Sequence, residues 1–327
     1  MNRFLRVGAH RLALSLGVLI FVYPPVCSGA VRLDALGHYL TKKGYGGAQL
    51  VHSGKFYHLP MHSNGQPGHL VIDTGTPGTL VFRSSVRALG LHETRTNVPV
   101  RGILGPTSER YGRSMIRSFQ AGNLTITKVP VAIAPDLGGS SSYGRPNGLL
   151  GLRELMKFGA VLDLSRRLLY LRPSRPGSEV SAEIKKILET RGWRAIHLTY
   201  TRDHLRVPAE VDEFRCHLLV DTGTFVTTLD RPFANRARIP TREIGSVVHG
   251  VGRSSRRVEL ATLESLWIGN YQMQKARVAV LSMDPRMLYR GTQSEVVGLV
   301  GVEYLALNSA ILDLVSGTLY LKPRGRP

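Results

Sequence analysis

A chain of 327 residues is long enough for two domains or lobes, and 43 % hydrophobic with 20 % charged residues is the balance of a folded globular protein, not a disordered one. Its 35 glycines and 18 prolines argue for many turns and short strands and against an all-helical fold. The net charge of +20 comes without zinc-ligand spacing or an RNA-binding aromatic signature, so it reads as an arginine-rich solvated surface, with no metal and no nucleic-acid partner expected.

In chain order, residues 1–30 read as a signal peptide. Arg3, Arg6 and Arg11 give a basic start, and the apolar stretch at 12–22 is short for a bilayer. Pro24 and Pro25 break that stretch, and Ser28, Gly29 and Ala30 supply small residues for cleavage. The expectation is a periplasmic or secreted chain beginning near Val31, without a stable membrane anchor. Loss of Cys27 would leave Cys216 without a partner, so no internal disulfide is expected.

A helix is predicted over 33–43, stopped by Gly44. Strands at 57–61 and 70–72, around the turn residues Ser63, Asn64 and Gly65, form a predicted hairpin. Further strands are expected at 125–134 and 168–171. A linker at 173–180 separates a first lobe, 31–172, from a second, 181–327. The second lobe repeats the order: a helix over 181–191 before Gly192, then strands at 272–281 and 318–321. The fold class is therefore all-β, with two duplicated barrel-like lobes, each opened by a short helix.

The repeat is explicit in the residues. Asp73-Thr74-Gly75-Thr76 recurs as Asp221-Thr222-Gly223-Thr224, 148 positions later. Apolar runs precede both, and His69 and His217 lie four residues before their aspartates. Leu149-Leu150-Gly151 recurs as Leu299-Val300-Gly301, and Asp163 recurs as Asp313, both at an offset of 150. Two buried carboxyls brought together by such a duplication can share one proton, because like charges in contact cannot both ionise. One then activates water as a base while the other protonates a carbonyl oxygen. Gly75 and Gly223 would allow the tight turn and leave backbone N–H groups aimed at the carboxylates. Thr74 and Thr222 carry hydroxyls suited to bonds across a two-fold axis, and Thr76 and Thr224 can donate to the outer carboxylate oxygens.

With these motifs the chain resembles the pepsin-like and retroviral-type aspartic peptidases, and most of all a bacterial retropepsin-like protein fused in tandem. The resemblance covers about 31–321. It implies a bilobal acid-protease fold, Asp73 and Asp221 as the catalytic dyad, Thr74 and Thr222 as the cross-brace, and no cofactor. It also implies glycine-rich flaps over the cleft, placed at Gly102 and Gly105 in the first half and at Gly250 and Gly252 in the second. Tyr111 is a candidate flap tyrosine. Neither the pro-segment nor the disulfides of the pepsins are expected. The activity implied is that of an aspartic endopeptidase acting on polypeptide as a monomer. The alternative is an inactive module that binds peptide or an anionic envelope polymer.

Arg101, Arg110 and Arg113 on the first flap, and Arg253, Arg256 and Arg257 on the second, read either as a solvated basic edge or as a preference for acidic substrates. His69 and His217 read as strand-start residues, since four extended residues cover ~13 Å. Asp163 and Asp313 read as turn-forming acids, and Cys216 as an inert buried thiol.

Overall fold

The computed structural model describes residues 33–137, 145–174, 177–201, 203–250, 255–288 and 295–322. The expected signal peptide at 1–30, Gly252 and Arg253 lie outside the described residues.

Each half folds into an eight-stranded sheet with the same strand order. In the first half, Phe56–Ser63 and Gln66–Asp73 form the expected hairpin. On its other side Gln66–Asp73 pairs in parallel with Gly148–Gly151, which lies antiparallel to Leu80–Phe82. A strand flanked on both sides and covered on both faces has to be apolar throughout. Leu70, Val71 and Ile72 meet that requirement and are almost fully buried. The second half repeats the arrangement with His204–Val211, Phe214–Asp221, Val296–Gly301 and Thr228–Asp230. Extra pairings curl each sheet toward a barrel: Phe56–Ser63 with Gly105–Ala121, and His204–Val211 with Ser255–Ile268.

A third sheet joins the halves. Val161–Asp163 pairs antiparallel with Ile311–Asp313, and Leu168–Leu171 and Thr318–Leu321 flank that pair. The outermost strands are Gly46–Gln49 and Arg194–His197, so six strands, three from each half, form one surface. The main apolar core runs through both halves without a break.

The first helix, Ala35–Lys42, is capped by Asp34, whose carboxylate accepts from the Gly37 N–H at 2.9 Å. The second, Ser178–Glu189, starts three residues before the expected 181 and so takes up the end of the expected linker. Val180, Ile184 and Leu188 lie four apart and are all buried, so the apolar stripe requires Val180 inside the helix. Gly44 and Gly192 end the two helices at φ of +81° and +87°, as expected.

The acids at the turns behave as expected. Asp163 accepts from the Ser165 hydroxyl and the Arg166 N–H, and Asp313 from the Ser316 hydroxyl and the Val315 N–H. Cys216 is a free, buried thiol whose pKa burial pushes up to about 12. The histidines differ from expectation. His69 and His217 sit at the fourth position of their strands, opposite Pro60 and Pro208, because the hairpin turns end earlier than the apolar runs begin.

Candidate active site

Both aspartates stand at the C-terminal ends of their buried strands, where the parallel neighbour also ends. The loop after each is held from behind by a short helix. Leu152 and Arg153 donate their N–H groups to the carbonyls of Thr76 and Pro77, at 2.9 and 3.0 Å. Val302 and Glu303 do the same for Thr224 and Phe225, at 2.8 and 3.0 Å. These bonds use N–H groups of a first helical turn that have no partner within the helix. The glycines of the later motifs are held by threonines: Thr79 accepts from the Gly151 N–H and Thr227 from the Gly301 N–H, each at 3.2 Å. Thr79 and Thr227 were not singled out from the sequence, although their 148-residue spacing is the signal that would have found them.

The two loops lock together through Thr74 and Thr222. The Thr74 hydroxyl donates to the Val220 carbonyl at 2.7 Å and accepts from the Thr222 N–H at 3.1 Å. The Thr222 hydroxyl donates to the Ile72 carbonyl at 2.8 Å and accepts from the Thr74 N–H at 3.1 Å. Both side chains are buried, so these four bonds form away from competing water.

Each aspartate is oriented by its own loop. Asp73 Oδ1 accepts from the N–H groups of Gly75 and Thr76, at 2.8 and 3.0 Å, and its Oδ2 from the Thr76 hydroxyl at 2.7 Å. Asp221 Oδ1 accepts from the Gly223 N–H at 2.8 Å, and its Oδ2 from the Thr224 hydroxyl at 2.7 Å. The predicted roles of Thr76 and Thr224 therefore match the geometry. The glycines matter for a different reason than the turn. Neither has positive φ. A Cβ on Gly75 would fall inside the Asp221 carboxyl group, and one on Gly223 inside that of Asp73. Glycine at each position lets the opposite carboxyl approach.

The carboxyls meet at the two-fold axis, nearly excluded from water at 7 % and 9 % exposure. Burial raises the pKa of Asp73, the charge of Asp221 raises it further, and the bonds from Thr76 and Gly75 offset part of this, leaving it at about 7. Burial likewise raises Asp221, against the bonds from Thr224 and Gly223, the charge of His204 and a bond with Asp73 itself. A pair of this kind holds one proton between two carboxyls across a wide pH range. Among the described residues, no group of three or more His, Cys, Asp or Glu side chains is placed to hold a metal ion.

The predicted flap of the first half is a hairpin of Thr94–Gly102 and Gly105–Ala121, with Gly102 opposite Gly105 and Ile103 and Leu104 at the tip. The tip reaches the other half. Leu104 is buried in an apolar cluster that includes Val258, Met283 and Leu288. The Asp284 N–H donates to the Ile103 carbonyl at 2.7 Å, and Arg256 donates to the Leu104 carbonyl at 3.4 Å. Arg101, read from sequence as part of a basic edge, instead pairs with the buried Asp284. Asp284 was not picked out from the sequence, because nothing local marks it. Burial works against its charge, but Arg101 and the Arg286 N–H outweigh burial and hold the carboxyl below its ordinary range. Tyr111 stands on the flap strand, donating to the Arg101 carbonyl at 3.4 Å, and Val258 takes its place in the second half. The second flap comprises Thr241–His249 and Ser255–Ile268, and Gly250 follows its first strand as predicted.

A family model described as aspartyl protease matches the chain twice, over residues 59–153 and 207–304. The two matches begin 148 residues apart, the spacing of the two Asp-Thr-Gly-Thr segments, and each spans one of them with the apolar-Gly segment behind it. No curated protein matches the chain.

Proposed function

The chain belongs to the aspartyl protease family, and we propose that it is an active aspartic endopeptidase with Asp73 and Asp221 as its dyad. The observation that carries the reading is the completeness of the site. Both carboxyls, both orienting threonines and all four cross-axis bonds are in place. A substrate in extended form lies under the flaps, bound partly through its backbone. Water between the carboxyls loses a proton to the ionised partner as it attacks the scissile carbonyl, and the protonated partner donates to the carbonyl oxygen. His204, where the first half has Phe56, favours the charged form of Asp221, against the burial that raises it. The protein works as a monomer, since one chain supplies both aspartates, and it acts in the periplasm or outside the cell after loss of residues 1–30.

The test is cleavage of unfolded casein between about pH 4 and pH 7, with and without pepstatin. Wild-type protein is expected to give products, and Asp73→Asn to lower turnover by about 10²–10⁴-fold with the fold intact. Undiminished turnover in that variant would remove the dyad from the mechanism. An absence of products at every pH would leave a peptide-binding module in its place.

A further inference from the structure

Resting on the peptidase reading, we propose that the cleft beside Asp73 contains a basic subsite that selects an aspartyl or glutamyl side chain of the substrate. A cavity of about 870 Å³ opens between the loop after Asp73 and the first flap. It begins at Thr76, whose hydroxyl holds the Asp73 carboxylate, so it adjoins the reacting centre. Arg113, Arg117, Arg153 and His92 line it, and no Asp or Glu does.

The acids nearby are engaged elsewhere. Arg83 binds Glu93 at 3.0 Å and Glu109 at 3.5 Å. Glu154 is buried beneath the loop, accepting from the Thr79 N–H at 2.6 Å. Among the described residues, no carboxylate lies within ion-pair distance of Arg113, Arg117 or Arg153. Arg153 is anchored at its backbone, where its N–H donates to the Pro77 carbonyl of the catalytic loop at 3.0 Å. Its guanidinium lies over Gly78, so close that a Cβ there would sit 3.0 Å from Nη1. A guanidinium held beside the dyad loop without a carboxylate partner is suited to bind one from the substrate in a two-point, charge-assisted contact.

The duplication shows which arginines are particular to the first half. Strand register and the repeat offset place Leu260, Glu264 and Glu303 in the second half where the first has Arg113, Arg117 and Arg153. Glu264 is paired with Lys275. The second half carries arginines at other points of the equivalent wall, Arg238, Arg242 and Arg277 where the first has Gly90, Thr94 and Pro130, so the two walls differ in where the charge stands, and Arg113, Arg117 and Arg153 are particular to the wall beside Asp73. Of the flap arginines read from the sequence, Arg113 belongs to this wall, while Arg101 and Arg256 serve flap contacts.

The experiment has two arms. In the first, a randomised peptide library is digested and the products are sequenced. Acidic residues should be enriched near the cleaved bond, and the triple variant Arg113→Leu, Arg117→Glu, Arg153→Glu should lower the ratio of kcat/KM for an acidic over an amide peptide by about tenfold. Absent enrichment, or a ratio unchanged in the variant, would overturn the subsite. In the second arm, fluorescence anisotropy compares Glu- and Gln-containing peptides on Asp73→Asn protein, with and without the triple change. A preference for Glu that the triple change removes supports the subsite even if wild-type protein cuts nothing, in which case the peptidase reading alone fails. Cleavage without any acidic preference ends the subsite and leaves that reading standing.

Discussion

Thr74 and Thr222 make the same two hydrogen bonds in mirrored order, and each aspartate is held by the threonine three residues on. Around that shared centre the halves differ. The first half has an open, arginine-lined cavity. In the second half, the apolar cluster equivalent to the one around Val71 and Leu149 takes in Leu104 from the first flap. His204 replaces Phe56, and Glu303 replaces Arg153. On the two-fold axis the aspartates, threonines and glycines are the same in both halves, and each meets the loop of the other half. Residues off the axis are free to diverge, and that is where selectivity can arise.

The largest effect tests the symmetry at its centre. Asp221→Asn should lower turnover by about the same 10²–10⁴-fold as Asp73→Asn. A variant of one aspartate that retains most activity would break the equivalence of the halves. Next come the cross-braces. Thr74→Val and Thr222→Val each leave a buried carbonyl and a buried N–H of the opposite loop without a partner. Each should cost about 2–6 kcal/mol in denaturant unfolding, and by similar amounts. A cost well under that for either would show that the two loops are not equally dependent on the brace.

Smaller effects probe the asymmetry. Leu104→Ala should weaken docking of the first flap by about 2–3 kcal/mol. Hydrogen exchange should show this as lost protection at 100–106, with the aspartate strands unchanged. Faster exchange spread over both halves would mean that the tip supports the whole fold. The last is a pH effect. Because the folded pKa of Asp73 is raised, its contribution to stability is full below the unfolded value and is lost as pH rises through about 7. Asp73→Asn is neutral at every pH, so the difference in Tm should grow from near zero in acid, in favour of the variant, as pH rises through about 7. A difference independent of pH would mean that the carboxyls do not share a proton.

Much of the fold was legible because it is written twice. The offset between Asp73 and Asp221, the later glycine motifs and the helix-stopping glycines Gly44 and Gly192 all follow from comparing the chain with itself. Val180 fell outside the predicted helix because the boundary was set by the match to the first half, not by the apolar spacing. The shared six-stranded sheet was not legible. Leu168–Leu171 and Thr318–Leu321 read as strands, but nothing in a short apolar strand names its neighbour.

The sequence by itself determined the paired aspartates, the threonines beside them and the two-lobed plan, because a repeated motif needs only its copy to be recognised. The tertiary structure decided which loops meet, that Gly75 and Gly223 make room for the opposite carboxyl, that Arg101 pairs with Asp284, and that three arginines line one wall of the cleft. Those depend on contacts between residues far apart in the chain, and such contacts leave no local pattern to read.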